Sequence, residues 1–331
     1  MKRRTLITLG MAMLSTALIE PTLAQTERPR ATSDQSAPVV QGGAPVASFK
    51  SAIDLVRVSA VVRDRRGRFV RDLTVSDFHV LDDGEQRAIT NFRHDTSGVS
   101  IAVLFDVSGS MEARLTRARE AASHILSWLD KTQDEAAVFT FDTRLIQLTP
   151  FTTGLQGLPS ELDLLTPFGA TGIYDAVAQT ARRLEGRSDG RRRAVVVLTD
   201  GIDNASRLSA SEVSGIASAI DVPVYVVGVV PSIDNPSAPT GVPSAAKSPL
   251  VGSLADLAAW TGGHTFITST PAERSIVARQ IIDELRHQYL IAFEASATPG
   301  WHPLVVRAKD KDLTVRARSG YFAGQYRPIS Q

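Results

Sequence analysis

The chain has 331 residues, of which 43% are hydrophobic and 21% are charged. This composition is typical of a soluble globular protein and excludes a wholly disordered one, and about 150 residues per domain predicts roughly two domains. The 36 Lys and Arg residues nearly balance the 35 Asp and Glu residues, so no charge excess favours nucleic acid or an anionic membrane surface as a partner. Cysteine is absent, which excludes disulfides, thiolate metal sites and cysteine nucleophiles.

Residues 1–24 have the pattern of a signal peptide. Lys2-Arg3-Arg4 is followed by an apolar run over residues 5–19 and by small residues that end at Ala24. The apolar run is shorter than the roughly 20 residues that span a bilayer. We therefore expect cleavage after Ala24 and a secreted or periplasmic protein, with no membrane insertion of the mature chain unless the signal is kept as an anchor.

The chain after this segment begins with a linker and contains two separated β segments. Residues 25–49 are rich in Pro, Ser, Thr and Gln and predict a flexible linker. Residues 50–97 and 288–324 alternate apolar and polar positions as β-strands do, and residues 325–331 form a tail. Each β segment is small for a core of its own, so we expect the two to pair as one β-sandwich-like domain; two separate β modules are the alternative.

Between the β segments, apolar runs alternate with amphipathic helices. The runs over residues 99–105, 194–198 and 222–230 are almost wholly apolar, as expected for strands covered on both faces. Helices are predicted over residues 111–129, 173–184, 209–220, 253–261 and 272–287, and a long proline-rich loop over 231–249. This alternation predicts an α/β fold with a doubly wound, mostly parallel sheet over residues 98–287, inserted between the two β segments.

Oxygen-bearing side chains follow the strands of this predicted sheet. Asp106, Ser108 and Ser110 come directly after the first apolar strand, Thr171 precedes a helix, and Asp200 follows another apolar strand. Because the carboxyl ends of parallel strands meet at one edge, these side chains are expected to converge. Two carboxylates and three hydroxyls, without His or Cys, are hard ligands that suit Mg²⁺, with Mn²⁺ or Ca²⁺ also possible. The sequence therefore predicts a divalent-cation site formed by these five residues.

The same five positions resemble a known motif. Asp106-x-Ser108-x-Ser110 with Thr171 and Asp200 is similar to the metal-ion-dependent adhesion site of von Willebrand factor type A domains. The β segments extend the likeness: Asp77-Phe78 before Asp82-Asp83-Gly84, together with residues 314–322, resemble the secreted bacterial VWFA-related family. The resemblance implies metal-dependent binding of a protein partner that presents an Asp or Glu side chain. It does not identify that partner.

The sequence thus favours an exported, metal-dependent protein-binding module. The alternative is a structural subunit of a cell-envelope assembly, in which the metal only stabilises the fold. An enzyme is not expected, because Ser108 and Ser110 do not lie in a Gly-x-Ser-x-Gly elbow and no phosphate-binding Gly-x-x-x-x-Gly-Lys loop is present.

Other polar residues receive structural interpretations. Asp203 and Asn204, next to Asp200, are interpreted as loop-forming residues. The six histidines are scattered without His-Glu-x-x-His spacing, so structural or surface roles are expected rather than zinc binding. Arg316 and Arg318 alternate with apolar residues, which predicts that both lie on the solvent face of a strand.

Overall fold

The computed structural model describes residues 55–324 apart from 186, 188, 189, 202, 220 and 231–251. The predicted signal peptide, linker and tail and the proline-rich loop over 231–249 lie outside the described residues. Within the described part of the chain, no helix combines the length and apolar character needed to cross a membrane.

Strands dominate the two ends of the described chain, and helices alternate with strands in its middle. The strands are β1 (Leu55–Arg63), β2 (Phe78–Asp82), β3 (Glu85–Arg87), β4 (Ile89–His94), β5 (Val99–Asp106), β6 (Glu135–Phe141), β7 (Leu145–Thr153), β8 (Arg192–Thr199), β9 (Val224–Val229), β10 (Thr265–Thr268), β11 (Gln288–Glu294), β12 (Gly300–Ala308), β13 (Thr314–Arg316) and β14 (Gly320–Ala323). The helices are α1 (Leu115–Ser127), α2 (Ile173–Glu185), α3 (Ala210–Ala219), α4 (Gly252–Trp260) and α5 (Pro271–Arg286).

The middle of the chain forms a six-stranded sheet in the order β10-β9-β8-β5-β6-β7. Neighbouring strands are parallel except for β6 and β7, which are antiparallel. Helices α1 and α5 cover one face, and α2, α3 and α4 cover the other. Burial on both faces explains why β5, β6 and β9 are buried along their whole length and β8 at every position except Arg193. The predicted doubly wound, mostly parallel α/β fold is confirmed.

The two β segments form two four-stranded sheets, in the orders β13-β1-β11-β4 and β14-β12-β2-β3. Each sheet contains strands from both segments, so the chain completes this sandwich only after it has passed through the α/β layer. A single cluster of buried residues, which includes Val58, Val80, Ile291 and Val306, lies in it. Pairing across the insertion gives both segments a shared core that neither holds alone.

Some elements differ from their predicted bounds. Helix α1 begins at Leu115 rather than at residue 111, because Gly109–Met111 forms a 3₁₀ turn first. An Asp-Gly turn joins β2 to β3: Asp83 and Gly84 have φ of 52° and 85°, as a tight hairpin turn requires.

Arg316 and Arg318 lie at the junction between the sandwich and the α/β layer, so the prediction of a solvent face is wrong. Arg316 forms an ion pair with Glu284 of helix α5. Arg318 is 5% exposed, and its Nη2 donates to the carbonyl of Arg57 at 2.6 Å. Ser319, the next residue, donates its backbone N–H to the carbonyl of Trp260 at 3.1 Å. The α/β layer therefore covers the face that alternation assigned to solvent.

Candidate metal site

Strand pairing brings together the loop that begins after Asp106 and the loop that contains Asp200. Asp106 is the last residue of β5, and Asp200 directly follows the last residue of β8. These strands are parallel neighbours, with Phe105 opposite Leu198. Their carboxyl ends therefore leave the sheet side by side, at the edge where open α/β folds bind ligands.

Four of the five predicted residues form a continuous chain of polar contacts. The backbone N–H of Ser108 donates to Asp106 Oδ1 at 2.9 Å, and the hydroxyls of Ser108 and Ser110 are 3.2 Å apart. Ser110 Oγ then donates to Asp200 Oδ1 at 2.9 Å. Asp106, Ser108 and Asp200 are all buried. Two carboxylates from separate loops are thus linked through Ser108, by its backbone N–H and its hydroxyl, and through the hydroxyl of Ser110.

The structure connects Thr171, the fifth predicted residue, to this edge through its backbone. Its N–H donates to Asn204 Oδ1 at 2.8 Å, and its carbonyl accepts from the N–H of Asn204 at 3.0 Å. The loop of Thr171 also contacts the loop of Ser108 and Ser110, because the N–H of Gly109 donates to the carbonyl of Gly169 at 3.1 Å. Gly169 has a φ of +88°, a conformation that favours glycine. The loop of Thr171 is therefore hydrogen-bonded to the loop after Asp106 and to the loop after Asp200.

Asp203 and Asn204 have the loop-forming roles that the sequence suggests. Asp203 Oδ2 accepts from the N–H of Tyr174 at 3.0 Å and from Ser206 Oγ at 2.6 Å. These contacts join the loop after Asp200 to the start of helix α2. They fix the backbone around the site.

The electrostatics of the cluster favour a cation. Burial raises the pKa of the Asp106 carboxyl above its ordinary value, and the nearby negative charge of Asp200 raises it further, against hydrogen bonds from Ser108 and Thr199. Two close carboxylates with little access to water destabilise each other when both are ionised. A bound divalent cation would remove this penalty. The donor set of carboxylate and hydroxyl oxygens fits a hard ion such as Mg²⁺.

Two further residues belong to the site and were not predicted from the sequence. Thr199 Oγ1 donates to Asp106 Oδ2 at 2.6 Å and accepts from the N–H of Gly201 at 3.1 Å. Arg114 Nη1 lies 2.6 Å from Asp200 Oδ2 and donates to the carbonyl of Ser110 at 2.8 Å. The available signals were weak: Thr199 is the last residue of a buried strand, and Arg114 follows Ser110 at a spacing of one helical turn.

Comparison with known proteins identifies the segment that carries the site. Residues 101–202 match the family described as von Willebrand factor type A domain. This segment is a von Willebrand factor type A domain. It extends from β5 to the loop after β8 and contains all five predicted ligands.

Other proteins resemble this chain over part of its length. An uncharacterized protein of Borreliella burgdorferi is 25% identical over 148 residues, covering 41% of this chain and 42% of that protein. The chain thus matches less than half the length of this curated relative. An aerotolerance-related membrane protein from Bacteroides fragilis has 21% identity and a TM-score of 0.46, covering 56% of this chain and 99% of the other. A von Willebrand factor type A protein from Catenulispora acidiphila has 14% identity and a TM-score of 0.45, covering 74% and 73%.

Proposed function

We propose that this chain is a metal-dependent protein-binding module. Asp106, Ser108, Ser110, Thr171 and Asp200 would hold a divalent cation, Mg²⁺ before Mn²⁺ or Ca²⁺, and a protein partner would add an Asp or Glu carboxylate. The chain of contacts from Asp106 through the two serines to Asp200 supports this proposal most directly. It connects four of the five predicted ligands at the sheet edge, and none of the four is a cysteine or histidine.

The donor set explains why such a site would bind a carboxylate. Asp106 and Asp200 carry the negative charge that attracts the cation. The hydroxyls of Ser108, Ser110 and Thr171 are neutral ligands, so they hold the ion without reducing its attraction for another anion. Mg²⁺ takes six oxygen ligands, and five protein donors would leave one position for water or for a partner carboxylate. The bound ion would supply a Lewis-acidic position for that oxygen.

Two further observations support the proposal. One favours binding over hydrolysis, and the other favours export. The hydroxyls of Ser108 and Ser110 contact each other and the carboxylates of Asp106 and Asp200, whereas a serine nucleophile is usually activated by a base such as histidine. Residues 1–24 have the composition of a signal peptide. We therefore propose that the chain works outside the cytoplasm as a binding protein.

Calorimetric titration of Mg²⁺ and Mn²⁺ into the purified chain tests the metal site. We expect the wild type to bind one ion and Asp106→Ala to lose that binding. Asp163→Ala is the matched control, because this exposed carboxylate pairs with Arg119 outside the site. Equal affinity in the wild type and Asp106→Ala would contradict the proposed ligand set.

A displayed peptide library, selected on the chain in Mg²⁺ and eluted with a chelator, tests the binding of carboxylates. We expect enrichment of peptides with Asp or Glu, and no enrichment on Asp106→Ala. If the metal binds but selected peptides stay bound after chelation, the partner does not contact the ion. That result would favour the structural subunit, in which the metal only stabilises the fold.

A further inference from the structure

A second cluster of metal-ligating groups lies in the sandwich, where the turn between β2 and β3 meets β12. Asp82 ends β2 and pairs with Leu304 of β12. Asp83 follows it in the turn and donates its N–H to the carbonyl of Pro303 at 3.0 Å. This register places both carboxylates beside His302, which is distant in sequence.

The three side chains converge on one point. His302 Nδ1 is 3.3 Å from Asp82 Oδ1 and 2.8 Å from Asp83 Oδ2. All three atoms lie within 4.8 Å of one another. The side chains of Asp82 and His302 are 0% and 6% exposed, whereas Asp83 is 52% exposed. The cluster is therefore buried on two sides and reached by solvent on the third.

The remaining contacts of His302 fix which nitrogen faces the carboxylates. His302 Nε2 lies 2.7 Å from the carbonyl oxygen of Thr298. A carbonyl oxygen carries no hydrogen, so Nε2 must hold the proton and donate. The ring also stacks on Tyr321, with centroids 5.3 Å apart and planes 21° apart. In the neutral ring, Nδ1 thus presents a lone pair to the two carboxylates.

With the His302 ring neutral, the charges around the cluster leave it short of a cation. Asp82 Oδ2 accepts from Arg87 Nε and from the hydroxyl of Tyr321, each at 3.0 Å. Among the described residues, no hydrogen-bond partner is found for Asp82 Oδ1 or His302 Nδ1. Arg87 balances one carboxylate of the two. A buried acceptor without a donor is unfavourable, and three acceptors facing one another add electrostatic repulsion.

We propose that Asp82 Oδ1, Asp83 Oδ2 and His302 Nδ1 bind a divalent transition-metal ion, with Zn²⁺ as the best match. Zn²⁺ accepts imidazole nitrogen and carboxylate oxygen at about 2.0–2.2 Å in tetrahedral sites, which spaces ligand atoms by about 3.3 Å. Nδ1 and Asp82 Oδ1 already have that separation. The exposed carboxylate of Asp83 would move outward by about 0.5 Å, and water would fill the open position. Thr298 would orient the ring as an outer contact.

This site is separate from the candidate Mg²⁺ site in its residues and in its chemistry. Its ligands come from the sandwich strands and include a nitrogen donor, whereas the other site offers oxygen donors at the edge of the α/β sheet. The proposal gives His302 a metal-binding role in place of the structural or surface role expected from the sequence. The sequence gives no indication of this site, since β-strand pairing alone brings the two aspartates to the histidine.

Calorimetric titration of ZnCl₂ into the full chain in excess Mg²⁺ tests the proposal. Asp83→Asn is the informative variant, because Asn tolerates the left-handed backbone of Asp83 and the position is exposed, so the fold is kept. Asp312→Asn is the matched control, an exposed turn aspartate paired with Arg65. We expect one Zn²⁺ per chain in the wild type and the control, and at least about tenfold weaker binding in Asp83→Asn, since even outer contacts are worth that much.

Two outcomes would overturn the proposal: no Zn²⁺ binding by the wild type, or unchanged binding by Asp83→Asn. Nitrogen-detected NMR of His302 gives a second readout, in which Zn²⁺ is expected to shift Nδ1 and leave Nε2 protonated. A ring that is doubly protonated and insensitive to Zn²⁺ would show an ion pair with the carboxylates and no metal site. Titration of Asp106→Ala separates the two sites, because Zn²⁺ binding is expected to persist there.

Discussion

Arg114 Nη1 lies 2.6 Å from Asp200 Oδ2, at the edge of the candidate Mg²⁺ site. The guanidinium also donates to the carbonyl of Ser110 at 2.8 Å. It therefore balances one of the two carboxylates from within the chain. A divalent cation at the site would share Asp200 with this positive charge.

Removal of that charge is expected to strengthen metal binding. Two unit charges 4 Å apart in water interact by about 1 kcal/mol, and a divalent ion doubles the repulsion to about 2 kcal/mol, so Arg114→Ala should raise Mg²⁺ affinity about 30-fold. Arg117→Ala is the control, since Arg117 is a half-buried arginine in α1 and its Nη1 donates to the carbonyl of Ala113 at 2.9 Å, away from Asp200. Calorimetry on both variants measures the difference. Unchanged or weaker binding in Arg114→Ala would show that this arginine supports the site.

Thr199 is expected to affect metal binding although it is not a predicted ligand. Thr199→Val keeps the shape of the side chain but removes the hydroxyl that donates to Asp106 Oδ2 at 2.6 Å. Loss of such an orienting contact should weaken Mg²⁺ binding about 10–100-fold. Thr180→Val is the control, because this buried hydroxyl bonds the carbonyl of Ala176 within α2. Equal Mg²⁺ affinities in the two variants would argue against an orienting role for Thr199.

The fold, and the convergence of four of the five predicted ligands, could be predicted from the sequence because both depend on local patterns. Wholly apolar runs marked β5 and β8 as central strands, and parallel neighbours place their ends together. Asp106 and Asp200 follow from that geometry alone. The serines follow because they continue the same loop after Asp106.

The remainder depends on contacts between distant segments, which local patterns do not record. Alternation predicted a solvent face for Arg316 and Arg318, but it contains no information on the α/β layer that packs there. His302 had no informative neighbours in sequence, since its partners Asp82 and Asp83 reach it only through the pairing of β2 with β12. The sequence alone therefore does not predict which charged side chains are buried at the junction or at the turn between two strands.

Glu284 is expected to be important for stability at that junction. Its side chain is 1% exposed and accepts from Arg63 Nη2 at 3.0 Å and from Arg316. Removal of one partner from a buried ion pair costs about 3–5 kcal/mol. The two arginines keep some contact with water, so Glu284→Gln should lower the free energy of unfolding by about 2 kcal/mol.

Urea unfolding followed by circular dichroism measures this difference. Glu294→Gln is the matched control, because Glu294 is exposed at the end of β11, and a change within about 0.5 kcal/mol is expected there. A loss of stability in Glu284→Gln no larger than that in the control would show that the arginines are satisfied without the carboxylate.

His264 is expected to make the fold less stable in mild acid. Burial lowers the pKa of His264 below its ordinary value, and the positive charges of Arg316 and Arg63 lower it further, whereas Glu284 opposes them. As the pH falls below about 6.5 the unfolded chain takes up a proton that the folded chain resists. The free energy of unfolding should therefore decrease from that pH down to the pKa of the folded state. His264→Asn should lose less stability than the wild type between pH 7.5 and 5.5 in urea unfolding.

NMR titration of His264 in Glu284→Gln gives an independent check, because loss of the opposing charge should lower the pKa of His264 again. A pKa that rises in that variant would contradict the electrostatic account of the junction.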